Sequence, residues 1–183
     1  IAQPSTSASY FHLLRWQVLN PHTKPLIIFT PKSMLRAKPA TSATDEFING
    51  KFNPIIEDIK SDRSKVKKIV LCSGKIAHEI AQHRDSATKE DIAIIRLERL
   101  YPLPAREIKN LLSQYSQDVK IIWAQDEPAN QGPWPFVFEN SQLLLEGRLL
   151  RRVSRRATAS PATGSSHLHE EEQHALIMEA FSR

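Results

Sequence analysis

Lys68-Ile69-Val70-Leu71-Cys72-Ser73-Gly74-Lys75-Ile76 is the stretch that decides the fold. An apolar run ends in a Ser-Gly-Lys turn, and Ile76 and Ile80 then recur at helical spacing on a segment reaching His83. A short run bounded by a glycine turn predicts a buried strand, and the spacing after it predicts a helix. Ile92–Leu97 repeats the strand signal. Pro104 opens a second helix, in which Ile108, Leu111, Leu112 and Tyr115 fall at i, i+3, i+4 and i+7. Val119–Ala124 is a third strand. Strands without alternation, joined by crossovers long enough for helices, predict an α/β fold with a parallel sheet covered on both faces.

The flanks fill in around that unit. Ser5, Thr6 and Ser7 offer caps for a helix over Tyr10–Leu19, where Phe11, Leu14 and Val18 share one face. Leu26–Phe29 reads as a buried strand, and Thr30-Pro31 starts a helical turn through Met34 and Leu35. Pro39, Pro54, a polar run at Thr41–Thr44 and charges over Glu57–Lys65 mark a linker to a second domain. Phe47, Phe52, Ile55 and Ile56 are available to pin that linker down. After the third strand come a polar loop at Gln125–Trp134 and a helix over Pro135–Leu145. An edge strand at Leu149–Val153, a small-residue loop at Ala157–Ser166 and a helix over Glu170–Phe181 follow, the last with Ile177, Ala180 and Phe181 facing inward.

With 183 residues, 40% of them apolar, the chain holds one medium domain or a domain and part of another. Its five glycines lie far apart, which excludes dinucleotide fingerprints and phosphate loops of the Walker type. The motifs CxxC, HExxH and GxSxG are absent as well. No apolar run approaches a membrane span. The single cysteine, Cys72, forms no internal disulfide and suits a reducing compartment such as the cytoplasm. The chain begins at Ile1, not Met, and reads as cut from a longer polypeptide.

The net charge of +5 is concentrated in Arg148, Arg151, Arg152, Arg155 and Arg156. Guanidinium groups suit phosphate or carboxylate partners. Without interleaved aromatics or a groove-reading helix, carboxylates of a neighbouring chain or domain fit better than nucleic acid.

Other polar stretches carry weaker signals. Ser73-Gly74-Lys75 could hold an anion at a helix N-terminus; an ordinary strand-to-helix turn explains it better. Asp126-Glu127-Pro128-Ala129-Asn130-Gln131-Gly132-Pro133-Trp134 is too polar and stiff for filler. Glu127 could act as a general acid or base. An interface or loop-anchoring role fits better, because no base or nucleophile lies nearby in sequence. His167, His169 and His174, beside Glu170–Glu172, read as solvated residues of the last helix rather than metal ligands. His12 reads as a packed residue and Cys72 as an inert small hydrophobe.

Seven motifs, taken in order, identify a family. They are Tyr10-Phe11-His12-Leu13-Leu14-Arg15, Phe29-Thr30-Pro31-Lys32-Ser33-Met34-Leu35-Arg36, Cys72-Ser73-Gly74-Lys75, Ala93-Ile94-Ile95-Arg96-Leu97-Glu98 and Leu100-Tyr101-Pro102-Leu103-Pro104. Asp126–Gly132 and Ala159-Ser160-Pro161-Ala162-Thr163-Gly164 complete the set. Together they resemble the carboxyl-terminal portion of the thiamine-diphosphate-dependent 2-oxoglutarate dehydrogenase, its first, decarboxylating component. The resemblance covers essentially the whole chain. It is closest in look to actinobacterial versions that join decarboxylase, dehydrogenase and succinyltransferase parts in one polypeptide.

The resemblance implies a transketolase-type C-terminal domain: a mostly parallel five-stranded sheet with an antiparallel edge and helices on both faces. Residues 1–40 would be the tail of the pyrimidine-binding domain, 41–66 a linker and 67–183 the C-terminal domain. It implies a tricarboxylic acid cycle enzyme, a homodimer, and a lipoylated succinyltransferase component or domain as partner. Thiamine diphosphate and magnesium would be held by motifs upstream, so the isolated chain is expected to be inactive, with no catalytic, cofactor or metal residue of its own.

The resemblance also implies an acetyl-CoA effector site. Its lysine matches Lys51. The family's glutamine falls on Arg99, and its paired arginines fall on Arg106 and Glu107, where an acid replaces the second base. Trp134, Arg151, Arg152, Arg155 and Arg156 are the interface candidates, since aromatic and arginine residues concentrate at interface centres. The alternative is a free-standing acyl-CoA-sensing or assembly module without catalysis.

Overall fold

The computed structural model describes residues 1–21 and 24–182. Strands β1 (Ile55–Ile56), β2 (Lys68–Cys72), β3 (Ile92–Leu97), β4 (Lys120–Pro128) and β5 (Leu150–Arg155) form one sheet in the order β1-β3-β2-β4-β5. β2, β3, β4 and β5 run parallel, and β1 closes the β3 edge antiparallel. Val70 stands opposite Ile94 on one side and Ile122 on the other. The α/β architecture expected from the strand–helix alternation is thus present, with its antiparallel edge.

The uninterrupted apolar strands follow from burial on both faces. Ile69, Leu71, Ile95, Ile121 and Trp123 pack under helices α4 (Ala105–Leu112) and α5 (Trp134–Leu145). Val70, Cys72, Ile94, Ile122 and Val153 pack under α3 (Ile76–Ser86) and α6 (Ser166–Phe181). Before the sheet come α1 (Ser7–Leu19), two 3-10 turns at Lys32–Arg36 and Lys38–Ala40, and the short α2 (Thr44–Ile48). Thr6 caps α1 by accepting the Ser9 N–H at 3.2 Å. No helix among the described residues is long and apolar enough to cross a membrane.

Four local expectations need correction. Phe11, Leu14 and Val18 are not the buried face of α1: they are 44%, 42% and 81% exposed. The helix turns Ala8, Ser9, His12 and Leu13 inward instead, because hydrogen-bond acceptors wait there for Ser9 and His12. Leu26–Phe29 is not a buried strand. It makes a single bridge, Ile28 to Ala2, and leaves Ile27 and Phe29 more than half exposed. Four apolar residues in a row carry no period that says which neighbour covers them. β4 continues through Gln125–Pro128, which sequence pattern assigned to a loop, because β5 pairs with it across an irregular register as far as Pro128–Arg155. The last helix starts at Ser166, a turn earlier than its apolar residues suggest, because Ser165 caps it by accepting the Leu168 N–H.

Segment 55–60 contributes more than an edge strand. Asp58 pairs with Arg84 of α3, both side chains nearly buried, and its carboxylate also accepts the Ile94 N–H at 2.9 Å. One carboxylate therefore joins β1, β3 and α3.

Candidate functional site

The chain leaves β2 for β3 in one direction, and β4 lies on the other side. The switch point of the sheet therefore falls between the carboxyl ends of β2 and β4, where open α/β sheets place ligands. Ser73-Gly74-Lys75 forms one wall and Gln125–Pro128 the other. The chain's own N-terminal segment packs against the first wall and the end of β3. Ser73 donates its hydroxyl to the Gln3 side chain at 2.7 Å, and the Gln3 N–H donates to the Glu98 carbonyl at 2.9 Å. Gly74 has a φ of +66°, and any Cβ there would run into the Gln3 side chain. Lys75 is paired with Glu79 at 2.6 Å. The turn is therefore occupied from within, consistent with an ordinary strand-to-helix junction.

Beside it lies a fully buried carboxylate. Glu98, at the end of β3, accepts the Ser5 N–H at 2.8 Å, the Ser5 hydroxyl at 2.5 Å and the Ser9 hydroxyl at 2.6 Å. Arg96 donates to the Ser5 hydroxyl at 2.8 Å, and His78 bonds the Ser5 carbonyl at 2.6 Å. Burial pushes the Glu98 carboxyl above its usual range, against the lowering effect of its serine donors and Arg96. Three elements, β3, α3 and the N-terminal segment, meet on Ser5.

The β4 wall is shaped by amides. Gln125, 1% exposed, takes the Trp123 indole N–H and the Trp134 backbone N–H on its oxygen, each at 2.9 Å. Its amide nitrogen donates to the carbonyls of Glu127, Pro128 and Gln131. Asn130 exchanges two bonds with the Thr158 backbone, and Gln131 adds a third at 3.2 Å. The Asp126–Trp134 loop thus anchors the Ala157–Ser166 loop. From α6, Gln173 donates to Asp126 and to Glu79, both at 2.6 Å. Burial raises the pKa of Asp126 and of Glu127. Every bond named in this wall is made by an amide, a backbone group or an indole, an arrangement that positions loops rather than moves protons.

The candidates proposed from sequence lie apart. Lys51 is exposed and lines a cavity of about 590 Å3 with His12, Arg15, Trp16 and Phe52. Arg99 is half-buried, donates to the Pro102 carbonyl at 2.9 Å, and lines an adjoining cavity of about 300 Å3 that shares Trp16. Arg106 and Glu107 stand exposed on the first turn of α4, and among the described residues they line neither cavity. In the arginine cluster, strand alternation splits the side chains. Arg152 stacks over Trp134 at 5.4 Å on the α5 face. Arg151 pairs with Glu179 of α6 at 3.3 Å, and Arg148 donates to the Leu112 carbonyl. Arg155 is buried against α6, whereas Arg156 is exposed. Trp134 is half-buried and touches the exposed Phe138. Cys72 is buried, its thiol pushed up to about 12 by burial, and so unreactive.

Sequence reasoning missed Glu98, Gln125 and Gln173. A carboxylate or amide closing an apolar strand was the available signal for the first two: buried polar groups must be bonded, so each implies a partner. Gln173 gave no such signal among the charges of α6.

Comparison with known proteins follows this geometry. A family model described as 2-oxoglutarate dehydrogenase C-terminal matches residues 41–181. The 2-oxoglutarate dehydrogenase E1/E2 component of Corynebacterium glutamicum is 47% identical over 184 aligned residues, covering 99% of this chain. A multifunctional 2-oxoglutarate metabolism enzyme of Mycolicibacterium vanbaalenii is 45% identical, again over 99% of the chain. This chain spans 15% of the length of each. Among solved structures, a split gene transketolase described as an inactive beta4 tetramer matches with a TM-score of 0.61 at 12% identity, over 98% of this chain and 56% of that one. That likeness supports the transketolase-like fold.

Proposed function

We propose a function from one premise: this chain belongs to the 2-oxoglutarate dehydrogenase C-terminal family. It serves as the C-terminal part of a succinyl-transferring 2-oxoglutarate dehydrogenase, or 2-oxoglutarate decarboxylase, of the tricarboxylic acid cycle. The observation that carries this reading is 47% identity across 99% of the chain to an E1/E2 component. The parent works in the cytoplasm as a homodimer beside a lipoylated succinyltransferase component or domain. Residues 1–40 act as the tail of the pyrimidine-binding domain, 41–66 as the connection and 67–183 as the C-terminal domain.

Thiamine diphosphate and magnesium do not fit this chain's own crevice. Gln3 occupies the Ser73–Gly74 wall, and Glu79 and Asp126, bridged by Gln173, would repel a diphosphate. The cofactor belongs to the rest of the parent, and this chain contributes fold and assembly. Trp134 with Arg152 on the α5 face, and separately the exposed Arg151 and Arg156, are offered to neighbouring parts; Arg155 is held inside against α6. Lys51 and Arg99, with Arg106 on α4, form the acetyl-CoA effector site.

The test is complementation. The matching C-terminal residues of the Corynebacterium glutamicum enzyme are replaced by this chain, and carbon dioxide release from 2-oxoglutarate is measured. Activity close to the parent's supports the reading. A folded hybrid without turnover overturns it.

A further inference from the structure

Arg155 is the one arginine of the cluster whose side chain is held almost wholly inside, at 8% exposure. One terminal nitrogen donates to His169 Nδ1 at 2.8 Å and Gln173 Oε1 at 3.0 Å, and the other reaches the Thr163 hydroxyl at 3.5 Å. Its Nε is buried and makes no hydrogen bond. The facing acid, Glu172, stands 3.7 Å from that nitrogen, an ion pair beyond hydrogen-bond length. Buried donors are nearly always satisfied, so an orphan on a buried cation implies an acceptor that completes it.

Arg155 lines a pocket of about 350 Å3 with Arg156, Ser160, Thr163, Gly164 and Glu172, the acid that stands between its Nε and solvent. Leu168 and Glu172 of the 16-residue α6 form the pocket's other side. Glu172 is already drawn in as a partial acceptor: it takes the Thr163 hydroxyl at 3.2 Å, yet its side chain remains 40% exposed. Two arginines outweigh this one carboxylate, which can swing toward solvent.

We propose that this pocket is a binding site for a small phosphate-type oxyanion, held by Arg155 Nε, Arg156 and Thr163 in place of Glu172. Two guanidinium groups and the neighbouring hydroxyls supply more donors than a single carboxylate ligand can use, and they suit a tetrahedral dianion. The site is independent of the thiamine chemistry and shares no lining residue with the Lys51 cavity.

The experiment titrates the full chain with inorganic phosphate, followed by calorimetry and by phosphorus NMR, with succinate as the carboxylate arm. Saturable phosphate binding is expected. Arg156→Gln should weaken it at least tenfold, and Glu172→Gln should strengthen it several-fold by removing the competing acceptor. Arg151→Gln, earlier on β5 and outside the pocket, should leave it unchanged. Arg155→Gln should abolish it, with circular dichroism showing whether the fold survives; the Arg156 and Glu172 variants decide the matter if it does not. No saturable binding, equal losses from Arg151→Gln and Arg156→Gln, or a weakening in Glu172→Gln would overturn the proposal. Succinate binding as tightly as phosphate would overturn the tetrahedral assignment.

Discussion

Glu98 closes on Ser5, 93 positions away in sequence, through both the serine's backbone N–H and its hydroxyl. A carboxylate at the end of an inner strand thereby fixes the segment that packs against the carboxyl ends of β2 and β3. The same serine is read by Arg96 and His78, so the position of the N-terminal segment is specified by three side chains from two elements. Gln3 then falls against Ser73 and Gly74.

Glu98→Ala should therefore destabilise the chain by about 1–3 kcal/mol, the cost of leaving a buried polar group unpaired. Glu98→Gln, which keeps the shape and two acceptor sites, should lose less. Urea unfolding at neutral pH measures both, and an unchanged slope would confirm that only stability moved. Equal midpoints for Glu98→Ala and the parent chain would refute the latch.

The pH dependence has a definite sign. Burial raises the pKa of Asp126 in the folded chain, with Gln173, Lys75 and Arg155 only partly opposing it. Between the ordinary aspartate value and the raised one, the folded state holds a proton that the unfolded state has lost. The contribution is full below the ordinary value and is lost as pH rises through the raised value. Unfolding followed from about pH 4 upward should show Asp126→Asn losing less stability with pH than the parent chain. Parallel curves would show that Asp126 titrates normally.

Much of the fold was legible in sequence because its central strands are buried on both faces. Ile69 to Cys72 and Ile92 to Leu97 needed no period, only length and a turn. What stayed illegible depended on polar contacts between distant segments. The two-residue β1 carries no pattern, and Asp58 and Arg84 pin it from 26 positions apart. α1 reversed its expected face because Ser9 meets Glu98 and His12 meets the Glu46 carbonyl. The arginine cluster looked like one surface, yet strand alternation sends Arg152 to Trp134 and Arg151 and Arg155 to α6.

Asp58→Ala should be among the most damaging single changes. It strips a buried arginine of its buried counterion, leaving only the partly exposed Asp85, and the Ile94 N–H of its acceptor. Breaking one side of a buried pair costs about 3–5 kcal/mol. Replacing both partners together, as Asp58→Leu with Arg84→Met, should cost less than Asp58→Ala alone. Thermal unfolding of the three variants tests that order, and a double variant weaker than the single would contradict it.

If acetyl-CoA binds, Lys51 should matter more than Arg106. Lys51 lines a cavity beside Trp16 and Phe52, whose rings lie 6.4 Å apart, whereas Arg106 stands on an open helix turn. Lys51→Ala should weaken binding about tenfold, the scale of one charge-assisted bond. Glu107→Arg should strengthen it if that helix turn takes part. Calorimetry with acetyl-CoA reads both, and an unaltered affinity in Lys51→Ala would remove that residue from the site.

The outward face of α1 makes the last prediction. Phe11, Leu14 and Val18 sit exposed at helical spacing, with Leu19, Ile27 and Phe29 also more exposed than buried. Exposed apolar side chains grouped on one helix face mark contact with another protein part or a tendency to associate. Its inner face is fixed by Leu13 and by Ser9 and His12, so changes to the outer face should leave the fold intact. The chain alone should bind a hydrophobic dye and self-associate as concentration rises. Leu14→Gln combined with Val18→Gln should lower both dye binding and association while shifting stability by no more than about 0.5 kcal/mol, the usual range for surface positions. Trp134→Ala serves as the comparison at the other apolar surface, where Phe138 and Arg152 flank a half-buried ring. If association follows Trp134 and ignores the α1 substitutions, the contact surface lies on α5. If neither changes it and no dye binds, the exposed α1 residues are ordinary surface.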